Sequence, residues 1–116
     1  IQHIFSQLFS PTSFTFMETI ESNIYSNFGL AEFANLTNLS LSSFKREFKK
    51  NYNDTPGNYI RNKKLEKSAE LLALSEERIT NVAFDCGFND LANFSHLFAE
   101  KYNCSPSRYR LNQKNK

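Results

Sequence analysis

The sequence predicts an all-α fold built as two helix-turn-helix units joined by one long helix. Three observations predict it. Apolar residues recur three and four apart along most of the chain, the spacing that lines one face of an α-helix. Helix breakers are scarce, with only three Gly and three Pro in 116 residues. The apolar pattern of the first half also returns in the second at a nearly constant offset, the mark of a duplicated structural unit. Twelve Phe and five Tyr supply ample core material without any Trp. A chain of this size buries roughly two-thirds of its unfolded surface, enough for a real but thin core.

Taken in order, Ile1, Ile4, Phe5, Leu8 and Phe9 form the stripe of a short amphipathic helix. Ser10-Pro11-Thr12-Ser13 is expected to break it. Met17, Ile20, Ile24 and Phe28 mark a second helix, expected to end near Gly29. We read residues 1–13 as a linker or the end of an upstream domain, and 14–56 as the first helix-turn-helix unit. Residues 57–75 are the linker helix, 76–112 the second unit and 113–116 a tail.

The duplication is explicit in the residues. At an offset of 50, Leu41, Phe44, Phe48, Tyr52, Pro56 and Tyr59 recur as Leu91, Phe94, Phe98, Tyr102, Pro106 and Tyr109. Upstream the offset is 49, matching Ala34, Asn38 and Leu39 to Ala83, Gly87 and Phe88, so one residue has been inserted in the second turn. Each copy carries the parts of a helix-turn-helix. A small residue, Ala34 or Ala83, lets a second helix approach. Four residues on, Asn38 or Gly87 tolerates the positive φ that ends a helix in a tight turn. Leu39 or Phe88 then plugs the angle between the helices. Ser40 and Asp90 are N-cap residue types that open the next helix, and Asp90 is read as a cap rather than a catalytic acid. Thr55-Pro56 and Ser105-Pro106 are further cap-then-Pro starts. They open a long helix over about Pro56–Leu74, with Leu65, Ala69 and Leu72 as its buried stripe, and a short helix from Pro106.

In the helix that follows the first turn, Leu41, Phe44 and Phe48 are expected to face the core. Ser42, Lys45, Arg46 and Lys49 lie opposite, at i, i+3, i+4 and i+7. An α-helix fits the major groove, Arg grips guanine O6 and N7 with two bonds, and Ser or Lys adds contacts to bases or phosphates. By itself such a face is most simply a solvated one; inside a repeated helix-turn-helix it points to base reading. The matching face of the second unit holds Ala92, Asn93, Ser95, His96 and Ala99, with no Lys or Arg. Two readings stand open for it. Small groups against thymine methyls and Asn93 on adenine would read bases, or the helix mainly positions the protein. Ser40, Ser43, Lys50, Arg61, Lys64 and Asn89 are candidates for phosphate contact, with Lys63 and Lys67 nearby.

The net charge of +2 hides an alternation. Residues 1–40 carry three acids and no Lys or Arg. Residues 41–67 carry eight basic side chains against three acids. Residues 68–100 set Arg78 against six acids, and the segment from Lys101 is basic again. Two basic blocks suit a polyanion touched at separate places, although charge alone is better explained by ordinary solvated helix faces. Cys86 and Cys104 are too few for a disulfide framework or a zinc site and are expected to be reduced and partly buried. His96 lacks the ligand partners a metal needs. No nucleophile–base pair is evident, so no enzymatic activity, cofactor or metal is expected. No signal peptide or bilayer-length apolar run is visible, and the expected location is cytoplasmic, on the nucleoid. The start at Ile1 leads us to expect a longer protein.

Taken together, Ser42-Ser43-Phe44-Lys45-Arg46-Glu47-Phe48-Lys49-Lys50, Thr55 through Arg61, Ile79 through Phe88, Phe94 through Phe98 and Ser105 through Arg110 resemble the C-terminal DNA-binding domain of the AraC/XylS regulators, over about residues 15–112. The resemblance implies about seven helices in two homeodomain-like helix-turn-helix subdomains set in adjacent major grooves. It also implies transcription activation through contact with RNA polymerase, and an N-terminal sensing or dimerising domain whose last helix would be Ile1–Phe9. Base-reading positions carried over on it are Ser42, Lys45 and Arg46, then Ala92, Asn93, Ser95 and His96. Asn38 departs from the family's usual Gly by a physically allowed exchange. A module directing a larger sensor kinase or DNA-repair enzyme is the alternative.

Overall fold

The computed structural model describes residues 11–115, and the expected stripe Ile1–Phe9 lies outside them. Among the described residues there are seven α-helices and no strand: α1 (Pro11–Asn23), α2 (Leu30–Leu36), α3 (Leu41–Tyr52), α4 (Pro56–Leu74), α5 (Ile79–Asp85), α6 (Leu91–Tyr102) and α7 (Pro106–Lys114). The all-α, two helix-turn-helix expectation therefore holds. The expected break after the Ile1–Phe9 stripe involves residues outside those described, and the first described helix runs from Pro11. One local expectation does not hold. That helix ends at Asn23, six residues before Gly29, where the Asn23 side chain donates back to the Thr19 carbonyl at 2.8 Å. Gly29 instead caps α2, its N–H donating to the Glu32 carboxylate at 2.9 Å.

The chain divides into two compact units, the first holding residues up to Ile24 and Phe28–Tyr59, the second Tyr25–Asn27 and the chain from Ile60 onward. In the first, Phe16 of α1 packs on Phe44 and Phe48, and Ile20 and Phe33 are buried as well. Phe44 sits at the centre, with ring centroids 5.7 Å from Phe16, 6.4 Å from Phe33 and 5.9 Å from Phe48. Tyr52 and Tyr59 close this core, and both phenols donate to Glu21 Oε2 at 2.9 Å. Burial, reinforced by the Glu21 carboxylate, pushes the Tyr52 phenol far above its ordinary range.

The second unit repeats the plan. Leu65, Ala69 and Leu72 of α4 pack with Val82, Ala83, Cys86, Phe88, Phe94 and Phe98. The Phe48–Tyr52–Tyr59 ring trio has its counterpart in Phe98, Tyr102 and Tyr109, with centroids 4.6–5.3 Å apart. Arg110 ties off the end of α4, donating through Nε to the Leu72 carbonyl and through Nη1 to that of Glu77. Cys86 and Cys104 are both free thiols; Cys86 is wholly buried rather than partly so.

Candidate nucleic-acid interface

The turn before each candidate recognition helix is built the same way twice. Leu39 N–H donates to the Ala34 carbonyl at 3.0 Å and Asn38 N–H to that of Asn35 at 3.1 Å. Phe88 and Gly87 make the equivalent bonds to Ala83 and Phe84 at 2.9 and 3.0 Å. This is the paired bonding that ends a helix on a left-handed residue. Asn38 has φ 59° and Gly87 φ 95°. The two positions differ in room. A Cβ on Gly87 would fall 2.5 Å from the Ser26 carbonyl oxygen and 2.7 Å from that of Tyr25, so only glycine fits there.

Each turn delivers the chain to an N-cap. Ser40 accepts from Ser43 N–H at the start of α3, and Asp90 from Ala92 and Asn93 N–H at the start of α6. The reading of Asp90 as a cap holds. Asn89, just before it, is the residue that shifts the repeat from 49 to 50. Both helices end on left-handed asparagines, Asn53 at φ 56° and Asn103 at φ 63°. This pair was legible at the same offset of 50 but did not enter the sequence argument.

Phe44 and Phe48 are fully buried under α3, as are Phe94 and Phe98 under α6. The expectation for Leu41 fails: it is 41% exposed, and its repeat partner Leu91 is exposed as well. Each is the first residue after the N-cap, where the helix has only begun to cover the core. On the outward side of α3, Ser42, Lys45, Arg46, Lys49 and Lys50 are exposed and Ser43 is half-buried. Arg46 Nη2 donates to Ser43 Oγ at 3.2 Å. None of these four cations has a carboxylate partner among the described residues, leaving a concentrated positive field on one helix face. On α6, Ala92, Asn93 and His96 are exposed and Ser95 is half-buried. His96 Nε2 lies 3.7 Å from Glu100 Oε2.

The phosphate candidates divide. Ser40, Lys50, Arg61 and Asn89 are exposed. Lys64 is a correction: it is 8% exposed, and its ammonium donates to the Gly87 carbonyl at 3.0 Å. Burial drives its pKa below the ordinary lysine value. A cation spent on fixing the second turn is not offered to a phosphate. No group of three or more His, Cys, Asp or Glu is placed to hold a metal among the described residues, and none of their helices is long and apolar enough to cross a membrane.

A family model described as a helix-turn-helix domain matches residues 33–112. The chain is 34% identical over 91 residues to the HTH-type transcriptional activator RhaR of Mannheimia succiniciproducens, covering 78% of this chain and 33% of that protein. It spans about a third of the length of the curated relatives it matches. Among solved structures, the C-terminal domain of the two-component response regulator yesN of Fusobacterium nucleatum has a TM-score of 0.77 at 28% identity, over 83% of this chain and 94% of that one. The DNA-binding domain of AdpA, solved with a target DNA, superposes at TM-score 0.80 and 20% identity, over 86% of this chain and 93% of that one, a likeness of fold.

Proposed function

The chain belongs to the AraC/XylS type of helix-turn-helix DNA-binding domains, and on that premise we propose that it binds double-stranded DNA sequence-specifically as the DNA-reading part of a transcription regulator, most simply an activator. The observation that carries this is the two-sided α3: buried Phe44 and Phe48 fix its roll, and the opposite side presents Lys45, Arg46, Lys49 and Lys50 unpaired by acids. Ser42, Lys45, Arg46 and Lys49 read bases from α3; Ala92, Asn93, Ser95 and His96 do so from α6. Ser40, Ser43, Lys50, Arg61 and Asn89 hold phosphates. The two helices enter successive major grooves.

In this reading the chain binds and does not catalyse. Its partners are DNA, RNA polymerase and an N-terminal sensing or dimerising domain, and it works in the cytoplasm on the nucleoid. The likeness to the C-terminal domain of a response regulator favours a signalling module upstream, which keeps a place in a larger signalling protein as the second reading. Selection of genomic fragments by the purified chain, followed by affinity measurements across salt, tests the proposal. One enriched motif and a salt-dependent affinity are expected, log K falling with log salt by about 0.9 per neutralised phosphate. No enriched motif, with binding indifferent to salt, refutes it.

A further inference from the structure

The outward sides of the two recognition helices can be compared position by position, because the repeat fixes their alignment. Ser42, Lys45, Arg46, Lys49 and Lys50 on α3 correspond to Ala92, Ser95, His96, Ala99 and Glu100 on α6. The fully buried rings are unchanged, Phe44 and Phe48 against Phe94 and Phe98, and the divergence lies at the exposed and half-buried positions, Glu47 against Leu97 among them. Four cations on α3 are replaced by one imidazole and one carboxylate. At the last position the charge is reversed, Lys50 to Glu100. Both His96 and Glu100 are largely exposed, and the carboxylate lies 3.7 Å from Nε2. The turn after α5 and the helix α7 meet α6 on its aromatic side, through Phe88 on Phe94 and Tyr109 on Phe98. Glu100 is the one acidic group within ion-pair reach of His96 among the described residues.

Resting on the DNA-binding reading above, we propose that Glu100 is a specificity-determining residue of the second unit. Its charge withholds phosphate attraction from α6 and its carboxylate lies beside His96, so α6 docks by the fit of its uncharged contacts to the bases. Non-specific binding is nearly all phosphate attraction. An acid on the reading helix therefore weakens unrelated sequences more than matched ones. A single carboxylate about 8 Å from a phosphate in a water-like dielectric weakens binding roughly two- to threefold.

The test compares the 116-residue chain with Glu100→Gln and Glu100→Lys, on a duplex recovered by selection and on a scrambled duplex of equal length. Both variants are expected to tighten binding to the scrambled duplex, Glu100→Gln about two- to threefold and Glu100→Lys further. Glu100→Lys should steepen the salt slope by about 0.9. In both, the preference for the selected duplex should fall. Glu100→Asp, which keeps the charge, should leave the salt slope and the preference as they are. An unchanged slope and preference in Glu100→Lys, while Arg46→Ala still relaxes base preference, overturns this inference and leaves the DNA-binding reading standing. Glu100→Lys and Arg46→Ala both leaving affinity, slope and preference unchanged on both duplexes overturns the two together.

Discussion

Replacing Gly87 by Ala should destabilise the second unit severely, and two independent costs can be read from the geometry. The first is conformational. At φ 95° the backbone lies in the left-handed region, where an L side chain costs roughly 1–2 kcal/mol. The second is steric. The new Cβ would stand 2.5 Å from the Ser26 oxygen and 2.7 Å from the Tyr25 oxygen, both backbone atoms that no rotamer change can move. Forced insertion of a carbon into packed structure adds about 1–3 kcal/mol. The sum is about 2–5 kcal/mol, a large part of the 5–15 kcal/mol that holds a domain folded. Asn38→Gly supplies the control, because Asn already accepts φ 59° and the exchange should move stability by well under 1 kcal/mol. Urea unfolding followed by circular dichroism measures both. A Gly87→Ala protein within about 0.5 kcal/mol of the parent would refute the claim that the second turn requires glycine on both counts.

Arg46→Ala should cost about 1–3 kcal/mol on the selected duplex and relax preference at one or two base pairs, as read by binding to a substitution series. Arg61→Ala should weaken all sequences alike and flatten the salt slope by about 0.9, whereas Lys64→Ala should leave the slope unchanged and lower the melting temperature, because its ammonium is bonded to Gly87. Phe44→Ala and Phe94→Ala should each destabilise by about 3–5 kcal/mol in denaturant titrations, since both rings are fully buried. Burial raises the Cys86 thiol from 9.0 to about 11. Its stabilising contribution is therefore intact below pH 9 and lost as pH rises towards 11, on the order of 2 kcal/mol. Stability measured from pH 8 to 11 should fall more steeply in the parent than in Cys86→Ala.

Much of this molecule is legible in the sequence because the fold was written twice. Matching Phe44, Phe48 and Tyr52 to Phe94, Phe98 and Tyr102 identifies buried faces without any measure of burial, and the structure buries each Phe completely. The positive-φ turn residues were readable for the same reason, Asn and Gly being the residue types that tolerate this backbone. What escaped reading depended on the ends of helices and on single side chains. Leu41 fits the apolar spacing but lies in the first turn, where periodicity says nothing of how far the neighbouring helix extends. Lys64 is spelled like its neighbours Lys63 and Lys67. Only the approach of the Gly87 carbonyl distinguishes it, and that depends on a residue 23 positions away.

The duplication also constrains what kind of site the chain can read. A dimer of identical readers calls for a palindrome, because the same side chains address both half-sites. Here two candidate recognition helices belong to one chain and share Phe44/Phe94, Phe48/Phe98, Tyr52/Tyr102 and the exposed Leu41/Leu91. Packing against the same aromatic trio constrains the inner side of each helix, while the outer side meets solvent or DNA and pays no folding cost for change. The outer sides have accordingly diverged at Ser42/Ala92, Lys45/Ser95, Arg46/His96 and Lys49/Ala99. On the proposed reading, two unlike helices in fixed chain order specify an asymmetric sequence with a direction; the cationic one supplies most of the phosphate attraction and the nearly neutral one depends on fit. Base substitutions under α3 should therefore alter affinity together with salt dependence, and those under α6 should alter affinity alone. An enriched motif with two-fold symmetry within the span of one chain would contradict the assignment of separate reading roles to α3 and α6.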